Sequence, residues 1–221
     1  MIHDEYHFEK VSPDSMDVLW EAGFRHFGTY FFRYNIGFLD LEYTQVLPLR
    51  VKLNEFKPSK SQKKILKKNK DLTFIIRDCT IDQEKEKLFS IHAERFTSNR
   101  PNSIYTFISS ENPANTPCEL KEICVYDMEK LVAVSFLDIG GIASSSVYAM
   151  FHPEYSKRSL GIYTLLLEIE YSIERGLQFL YPGYAYRKSS FYDYKKKFHP
   201  LEYFDWAGKW IPYINEPISE D

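Results

Sequence analysis

The chain has 221 residues, of which 44% are hydrophobic and 27% charged, with a formal net charge of -3. This composition excludes disorder as the resting state and gives enough length for one large or two small domains with a buried core. The slight negative balance also excludes a protein coated in positive charge, so any nucleic-acid contact must come from a local patch.

Met1 to Lys10 is acidic and aromatic, without the basic and apolar segments of a signal peptide, and no stretch reaches the length of a membrane helix. Ser12-Pro13 reads as an N-cap with proline at the first helical position, and Met16, Leu19, Trp20 and Phe24 then mark one helical face. Thr29 to Tyr34 is aromatic and strand-like. Leu47, Leu49, Val51 and Leu53 alternate as in a half-buried strand, with Pro48 predicting an edge position. Ser59 with Gln62 is a capping box that opens a basic helix running to Asn69. Leu72 to Ile76 predicts a strand, and Thr80 with Gln83 a cap for a second helix carrying Phe89, Ala93 and Phe96. Arg100 to Cys118 is rich in Ser, Asn and Pro and predicts a long loop.

Three strands follow, Glu122–Tyr126, Leu131–Leu137 and Ser145–Phe151, with turns at Met128-Glu129-Lys130 and Gly140-Gly141. They predict an antiparallel meander. Ser159 to Arg175 is the strongest helix, with Ile162, Leu166, Ile169 and Ile173 at helical spacing, and Leu177 to Tyr181 is a strand entering Pro182-Gly183. Cys79, Cys118 and Cys124 form no C-x-x-C pair and fit reduced thiols. The expectation is a cytoplasmic protein with no membrane contact, no metal and no cofactor.

A meander, a helix opening beside Lys157-Arg158-Ser159-Leu160-Gly161, and one more strand is the order of a GNAT-type acyltransferase core. In that fold the N–H groups at the helix start face a phosphate-bearing ligand. The fuller glycine pattern of coenzyme A binders is missing here.

Ser145-Ser146-Val147-Tyr148, Pro153-Glu154-Tyr155, Ser159-Leu160-Gly161-Ile162-Tyr163 and Glu168-Ile169-Glu170 resemble the C-terminal domain of arginyl- and leucyl-tRNA–protein transferases. Tyr181-Pro182-Gly183-Tyr184 is similar to the family's Tyr-x-Gly-Tyr element, and Tyr194-Lys195-Lys196-Lys197-Phe198-His199-Pro200-Leu201-Glu202 to its Tyr-Lys-x-x-Phe-x-Pro-Leu-Glu element. Ala22-Gly23-Phe24-Arg25 and Phe56-Lys57-Pro58-Ser59-Lys60-Ser61-Gln62 resemble its N-terminal half. The resemblance implies an α+β, GNAT-like fold with a mixed, largely antiparallel sheet and flanking helices. It divides the chain into an N-terminal portion, 1–70, and a catalytic domain, 71–221. It also implies transfer of arginine or leucine from charged tRNA to proteins that begin with an acidic residue, marking them for N-terminal-dependent degradation. The partners are then aminoacyl-tRNA and the N-terminal segments of acceptor proteins. In one respect the sequence departs from the family: no cysteine lies between Tyr30 and Arg50, where relatives carry closely spaced ones. A metal or iron–sulfur centre cannot form from those positions.

In the implied reaction an α-amine attacks the ester carbonyl of aminoacyl-tRNA. Such an amine has a pKa of about 7.7–8.0, so it needs only a modest base, a donor for the carbonyl oxygen, and positioning. The resemblance puts Asp138 on an aspartate typical of the family; it is either a proton acceptor at the sheet mouth or a turn residue before Gly140-Gly141. Tyr148 and Tyr184 are candidate donors to the carbonyl oxygen or ribose, or else core tyrosines. Arg25 and Arg187 are candidates to read an acidic side chain bidentately. Lys157, Arg158 and Gly161 are candidates for a tRNA phosphate at the helix start, the two cations otherwise facing water. Lys60, Lys63, Lys64, Lys67 and Lys68 form either a tRNA-binding strip or a solvated face. Arg187, Lys188, Lys195, Lys196 and Lys197, interleaved with Tyr186, Tyr192 and Tyr194, suit an unpaired CCA end or else a polar helix. Two alternatives remain: a GNAT acyltransferase using acyl-CoA, and an inactive tRNA- or degron-binding relative.

Overall fold

The computed structural model describes residues 1–39, 41–96 and 100–214. In chain order the elements are β1 (His3–His7), α1 (Pro13–Glu21), β2 (Arg25–Phe27), β3 (Tyr30–Tyr34), β4 (Ile36–Leu39), β5 (Glu42–Lys52), α2 (Lys60–Lys68) and β6 (Thr73–Asp78). After α3 (Gln83–Ala93) come β7 (Glu119–Asp127), β8 (Lys130–Ile139), β9 (Ala143–Phe151), α4 (Leu160–Glu174), β10 (Phe179–Tyr186), β11 (Leu201–Phe204) and β12 (Trp210–Pro212). The large sheet runs β12-β11-β5-β10-β9-β8-β7-β6, with β4 paired to β5, and a small sheet runs β1-β3-β2. Among the described residues, β9 and β10 are the parallel pair and the other pairings are antiparallel. A parallel pair needs a crossover, and α4 supplies it. This is the expected GNAT-like α+β arrangement, a mixed, largely antiparallel sheet with flanking helices. Among the described residues no helix is long and apolar enough to cross a membrane.

α4 buries Leu160, Tyr163, Leu166, Leu167 and Ile169 against Val51, Leu137 and Leu180 of the sheet. Each such side chain stabilises the fold by about 1.5–3 kcal/mol through its removal from water. A second cluster lies under α3, around Phe89, Ile104, Phe136 and Met150, and a third under α1, around Met16, Trp20 and Tyr181. α2 opens on the Ser59–Gln62 capping box read from the sequence, with Ser59 N donating to Gln62 Oε1 at 2.8 Å.

Three expectations are corrected. Pro48 does not mark an edge, because β5 lies between β10 and β11. On one side of β5 the β11 ladder ends at Leu49 and the β4 ladder begins at Gln45, so Pro48 sits where the partner changes and no N–H is required. The α3 cap is Asp82, not Thr80: its carboxylate accepts from Lys85 N at 2.9 Å, a stronger acceptor for the first-turn amides than a hydroxyl. β10 does not stop at Pro182-Gly183 but runs on to Tyr186, with a register shift against β5 between Leu180 and Gly183. The strand β5, drawn from the expected 1–70 portion, is therefore internal to the large sheet.

Candidate active site

β9 and β10 pair only over Ala143–Ser145 and Phe179–Tyr181, although both strands continue. Beyond that point backbone carbonyls on the facing edges lose their ladder partners, and a buried carbonyl must find another donor. Arg25 provides it. Its guanidinium donates to Ser146 O and Ser145 Oγ on β9 and, at 3.4 Å, to Tyr181 O on β10. The planar fork of five N–H groups suits this bridging of two strands.

The turn before β2 aims Arg25 inward. Gly23 holds φ +84, a conformation that glycine adopts without strain, and its carbonyl accepts from Tyr184 Oη at 2.7 Å. The Tyr184 hydroxyl is thus engaged in holding this turn, and burial pushes it well above the usual tyrosine range. Lys195 reaches the same place from the 3-10 turn Phe191–Lys197. Its stem is partly covered and its ammonium lies inward, donating to Tyr184 O at 3.2 Å. A Cβ at Gly183 would stand 3.0 Å from Lys195 Nζ and 3.8 Å from Arg25 Nε. Glycine there, at φ +99, leaves room for both cations.

Glu168 of α4 faces this cluster. It is fully buried, and neither carboxylate oxygen has a hydrogen-bond partner among the described residues. Burial pushes its carboxyl up to about 8, against the opposing influence of the Ser135 and Ser146 hydroxyls and the Arg25 charge. Burial brings the Lys195 ammonium down to about 7, with Arg25 acting in the same sense and Glu168 against. Arg25 itself is lowered by burial, with Asp138, Tyr184 and Glu168 opposing. Two basic groups and one carboxyl without solvent are the kind of arrangement that accompanies ligand chemistry.

Asp138 lies within β8, opposite Ser145, and is buried. It is neither in the turn nor open at a mouth. Its Oδ2 is 2.7 Å from His26 Nε2, and its Oδ1 accepts from the Cys118 thiol at 3.4 Å. His26 Nδ1 is 2.9 Å from the carbonyl of Gly28, which can only accept, so Nδ1 carries a hydrogen. Asp138 therefore anchors the residue next to Arg25. His26, Cys118 and Asp138 also bring one potential metal-ligand atom each within 4.8 Å of one another. Every one of those atoms already has a hydrogen-bond partner in this arrangement.

The remaining candidates lie elsewhere. The Tyr148 ring stacks on Phe107 at 4.1 Å in the cluster under α3, with its hydroxyl buried and unpartnered among the described residues. Arg187 is exposed at the end of β10 and donates from Nε to Gln45 at 2.8 Å. Arg158 is held bidentately by Asp71 at 2.9 and 2.7 Å, so its fork is taken. A Cβ on Gly161 would meet Phe151 at an ordinary 3.7 Å, so packing does not demand glycine there. Lys60, Lys63, Lys64, Lys67 and Lys68 all face solvent, and Ile65 and Leu66 turn toward the core. Lys68 donates to the carbonyl of Lys157, and Gln62 Nε2 to that of Lys197 at 3.2 Å, so α2 joins both other basic segments. Lys197 is exposed.

A groove of about 580 Å3 lies beside α1, lined among others by Asp17, Glu21, Arg33 and Tyr181. Neither Arg25, Glu168 nor Lys195 lines it. Its charges are already matched: Asp17 accepts from the amides of Gly141, Ile142 and Ala143, Glu21 pairs with Arg50, and Arg33 with Asp4. The unmatched chemistry is at the parting of β9 and β10.

Glu168, His26, Cys118 and Ser146 are site residues that sequence reasoning did not select. One signal was legible for Glu168: Thr164, Glu168 and Ser172 recur every four residues along one side of α4, and all three are buried.

A family model described as "Arginine-tRNA-protein transferase, C terminus" matches residues 82–205. An aspartate/glutamate leucyltransferase of Leptospira interrogans serogroup Icterohaemorrhagiae serovar copenhageni is 28% identical over 221 residues, covering 96% of this chain and 79% of the relative. One from Alcanivorax borkumensis is 30% identical over 204 residues, covering 90% of this chain and 81% of the relative. Among solved structures, L-PGS from Bacillus licheniformis overlays 71% of this chain and 59% of its own, at 14% identity and a TM-score of 0.48.

Proposed function

Because this chain belongs to the arginine-tRNA-protein transferase family it is an aminoacyltransferase acting between aminoacyl-tRNA and protein N-termini, and we propose that it moves leucine onto proteins that begin with Asp or Glu. Relatives named aspartate/glutamate leucyltransferase support that choice of donor and acceptor. Proteins so modified would be marked for N-terminal-dependent degradation.

The observation that carries this reading is the pair of inward cations, Arg25 and Lys195, flanking Gly183 where β9 and β10 part. An acidic side chain entering this place meets a guanidinium that is always charged and an ammonium whose charge a carboxylate would restore. With the acceptor held there, its neutral α-amine attacks the ester carbon. The new C–N bond forms as the C–O bond to the 3′ oxygen breaks, and the amine's proton ends on that oxygen. Asp138 acts as a positioning residue in this reading, since it holds His26 and with it the start of β2.

The acyl-CoA alternative fits less well. The Arg25 side chain fills the gap between the parallel strands, and Arg158 at the helix start is committed to Asp71. The test is a transfer assay with leucyl- and arginyl-tRNA offered separately to peptides beginning with Asp, Glu, Asn, Gln or Arg. Transfer of leucine to Asp and Glu peptides alone is expected. Equal transfer to Asn and Gln peptides would remove the cation pair from substrate recognition.

A further inference from the structure

The 3-10 turn Phe191–Lys197 carries an exposed ring pair, one member of which, Tyr192, lies over the inward ammonium of Lys195. Phe191 is 74% and Tyr192 42% exposed, and their ring centroids lie 6.0 Å apart. Tyr192 also meets Tyr186 at 6.0 Å, and Lys195 Nζ stands 5.0 Å from the Tyr192 centroid. Tyr186 continues the wall inward, packed over Gly37, where a Cβ would come within 2.5 Å of its ring. A run of aromatic faces thus leads from solvent down to Lys195.

Single exposed apolar residues are ordinary. This group differs in two ways. It is continuous with the buried cluster through the Lys195–Tyr192 contact. It is also bordered by the exposed cations Arg187, Lys188 and Lys197, offset by Glu42, which pairs with Lys188, and by Asp193, which pairs with Lys196. Rings with a cationic border suit unpaired bases, because every base has a π-face and each is followed by a phosphate.

We propose that Phe191 and Tyr192 form the stacking surface for the unpaired 3′ bases of the tRNA, which sets the aminoacyl ester beside Lys195. The proposal rests on the aminoacyl-tRNA reading above and assigns the place where the tRNA end lies. It also explains why a ring as apolar as Phe191 is left in water in the free protein.

The test titrates an uncharged tRNA with its complete CCA end, and the same tRNA trimmed of CCA, against the full chain. Wild type is compared with Phe191→Ala, Tyr192→Leu, the double variant, and Phe74→Ala as a control on β6 at the other edge of the sheet. Wild type is expected to bind the complete tRNA about tenfold more tightly than the trimmed one, the scale of one stacked base. The double variant should lose that difference while keeping wild-type affinity and salt dependence for trimmed tRNA, and Phe74→Ala should keep it. A double variant that retains the difference overturns the proposal. So does sedimentation in which wild type self-associates and Phe191→Ala does not, with tRNA affinity unchanged, since the rings would then belong to an interface between copies. Transfer activity of the same wild-type preparation separates the two readings. With transfer present and no CCA-dependent difference, the stacking surface fails alone; with neither transfer nor tRNA binding, the function reading fails too.

Discussion

Arg25 donates to the backbone carbonyl of Tyr181 at 3.4 Å, across 156 positions of sequence, and so closes a strand pair that backbone hydrogen bonds leave open. A side chain from the small N-terminal sheet here does what an amide would do in an uninterrupted ladder. Arg25→Lys tests how much the fork matters. An ammonium keeps the charge but cannot span Ser146 O and Tyr181 O, and a buried carbonyl left without a donor costs about 1–3 kcal/mol. Chemical denaturation should register a loss of that size, and kcat/KM for an acidic peptide should fall at least tenfold. A variant with wild-type stability and activity would reduce Arg25 to one of several interchangeable cations.

Lys195 gives a pH prediction with a definite sign. Burial brings its ammonium down to about 7, so it is charged below that pH and increasingly neutral above it. KM for Asp and Glu peptides should therefore rise as pH increases through this region, beyond any change seen with Lys195→Gln. The comparison with the Gln variant removes the titration of the acceptor amine itself, which is common to both. Parallel KM profiles for the two proteins would take Lys195 out of acceptor recognition.

Glu168 works in the opposite direction, through stability. Its carboxyl is raised by burial from the ordinary 4.5 to about 8. The folded protein then holds a proton that the unfolded chain has released, so the contribution is fully present below the ordinary carboxylate range and is lost as pH rises through the folded value. Glu168→Gln should be less sensitive to pH than wild type between 5 and 8 in thermal unfolding. Identical slopes for the two proteins would mean that Glu168 is ionised and paired at neutral pH.

The lysines of α2 are tested by salt. Replacing Lys60, Lys64, Lys67 and Lys68 by Gln keeps helix propensity nearly constant, and exposed charges contribute little to folding. Thermal stability should barely change. Affinity for tRNA should fall, and its dependence on salt should become shallower through the loss of counterion release. Superimposable salt titrations would mark α2 as a solvated face and leave phosphate contacts to the Arg187–Lys197 segment.

The sequence was most legible where one local rule governed the outcome. The Ser59–Gln62 capping box, the meander of β7, β8 and β9, and the apolar face of α4 all follow from spacing within a short window. Pro48 misled because its meaning depends on two partners, β4 and β11, that meet on one side of β5, and no window around residue 48 contains β11. The site was legible by residue type more than by place. Arg25, Lys195, Asp138 and Tyr184 do come close together, but Asp138 and Tyr184 prove to be bonded to His26 and Gly23. Tyr148, two residues beyond Ser146, turns to the α3 side instead, because the register shift between Phe136 and Leu137 leaves Val147 as an extra residue and sets Tyr148 opposite Phe136. His26 and Cys118 could not be found from spacing, since the contact that unites them with Asp138 joins three distant segments.

The internal position of β5 also bears on how the chain is made. During synthesis β5 leaves the ribosome long before β10 and β11, the strands that flank it. Until they follow, its apolar segment from Leu47 to Val51, beyond the reach of β4, has no strand beside it, and its edges there are open to pairing with other nascent chains. The large sheet can close only late, by insertion of an early strand between two late ones. A chaperone that shields short apolar strands should therefore raise the yield of the whole chain, and a fragment starting at residue 71 should aggregate because the slot for β5 stays open.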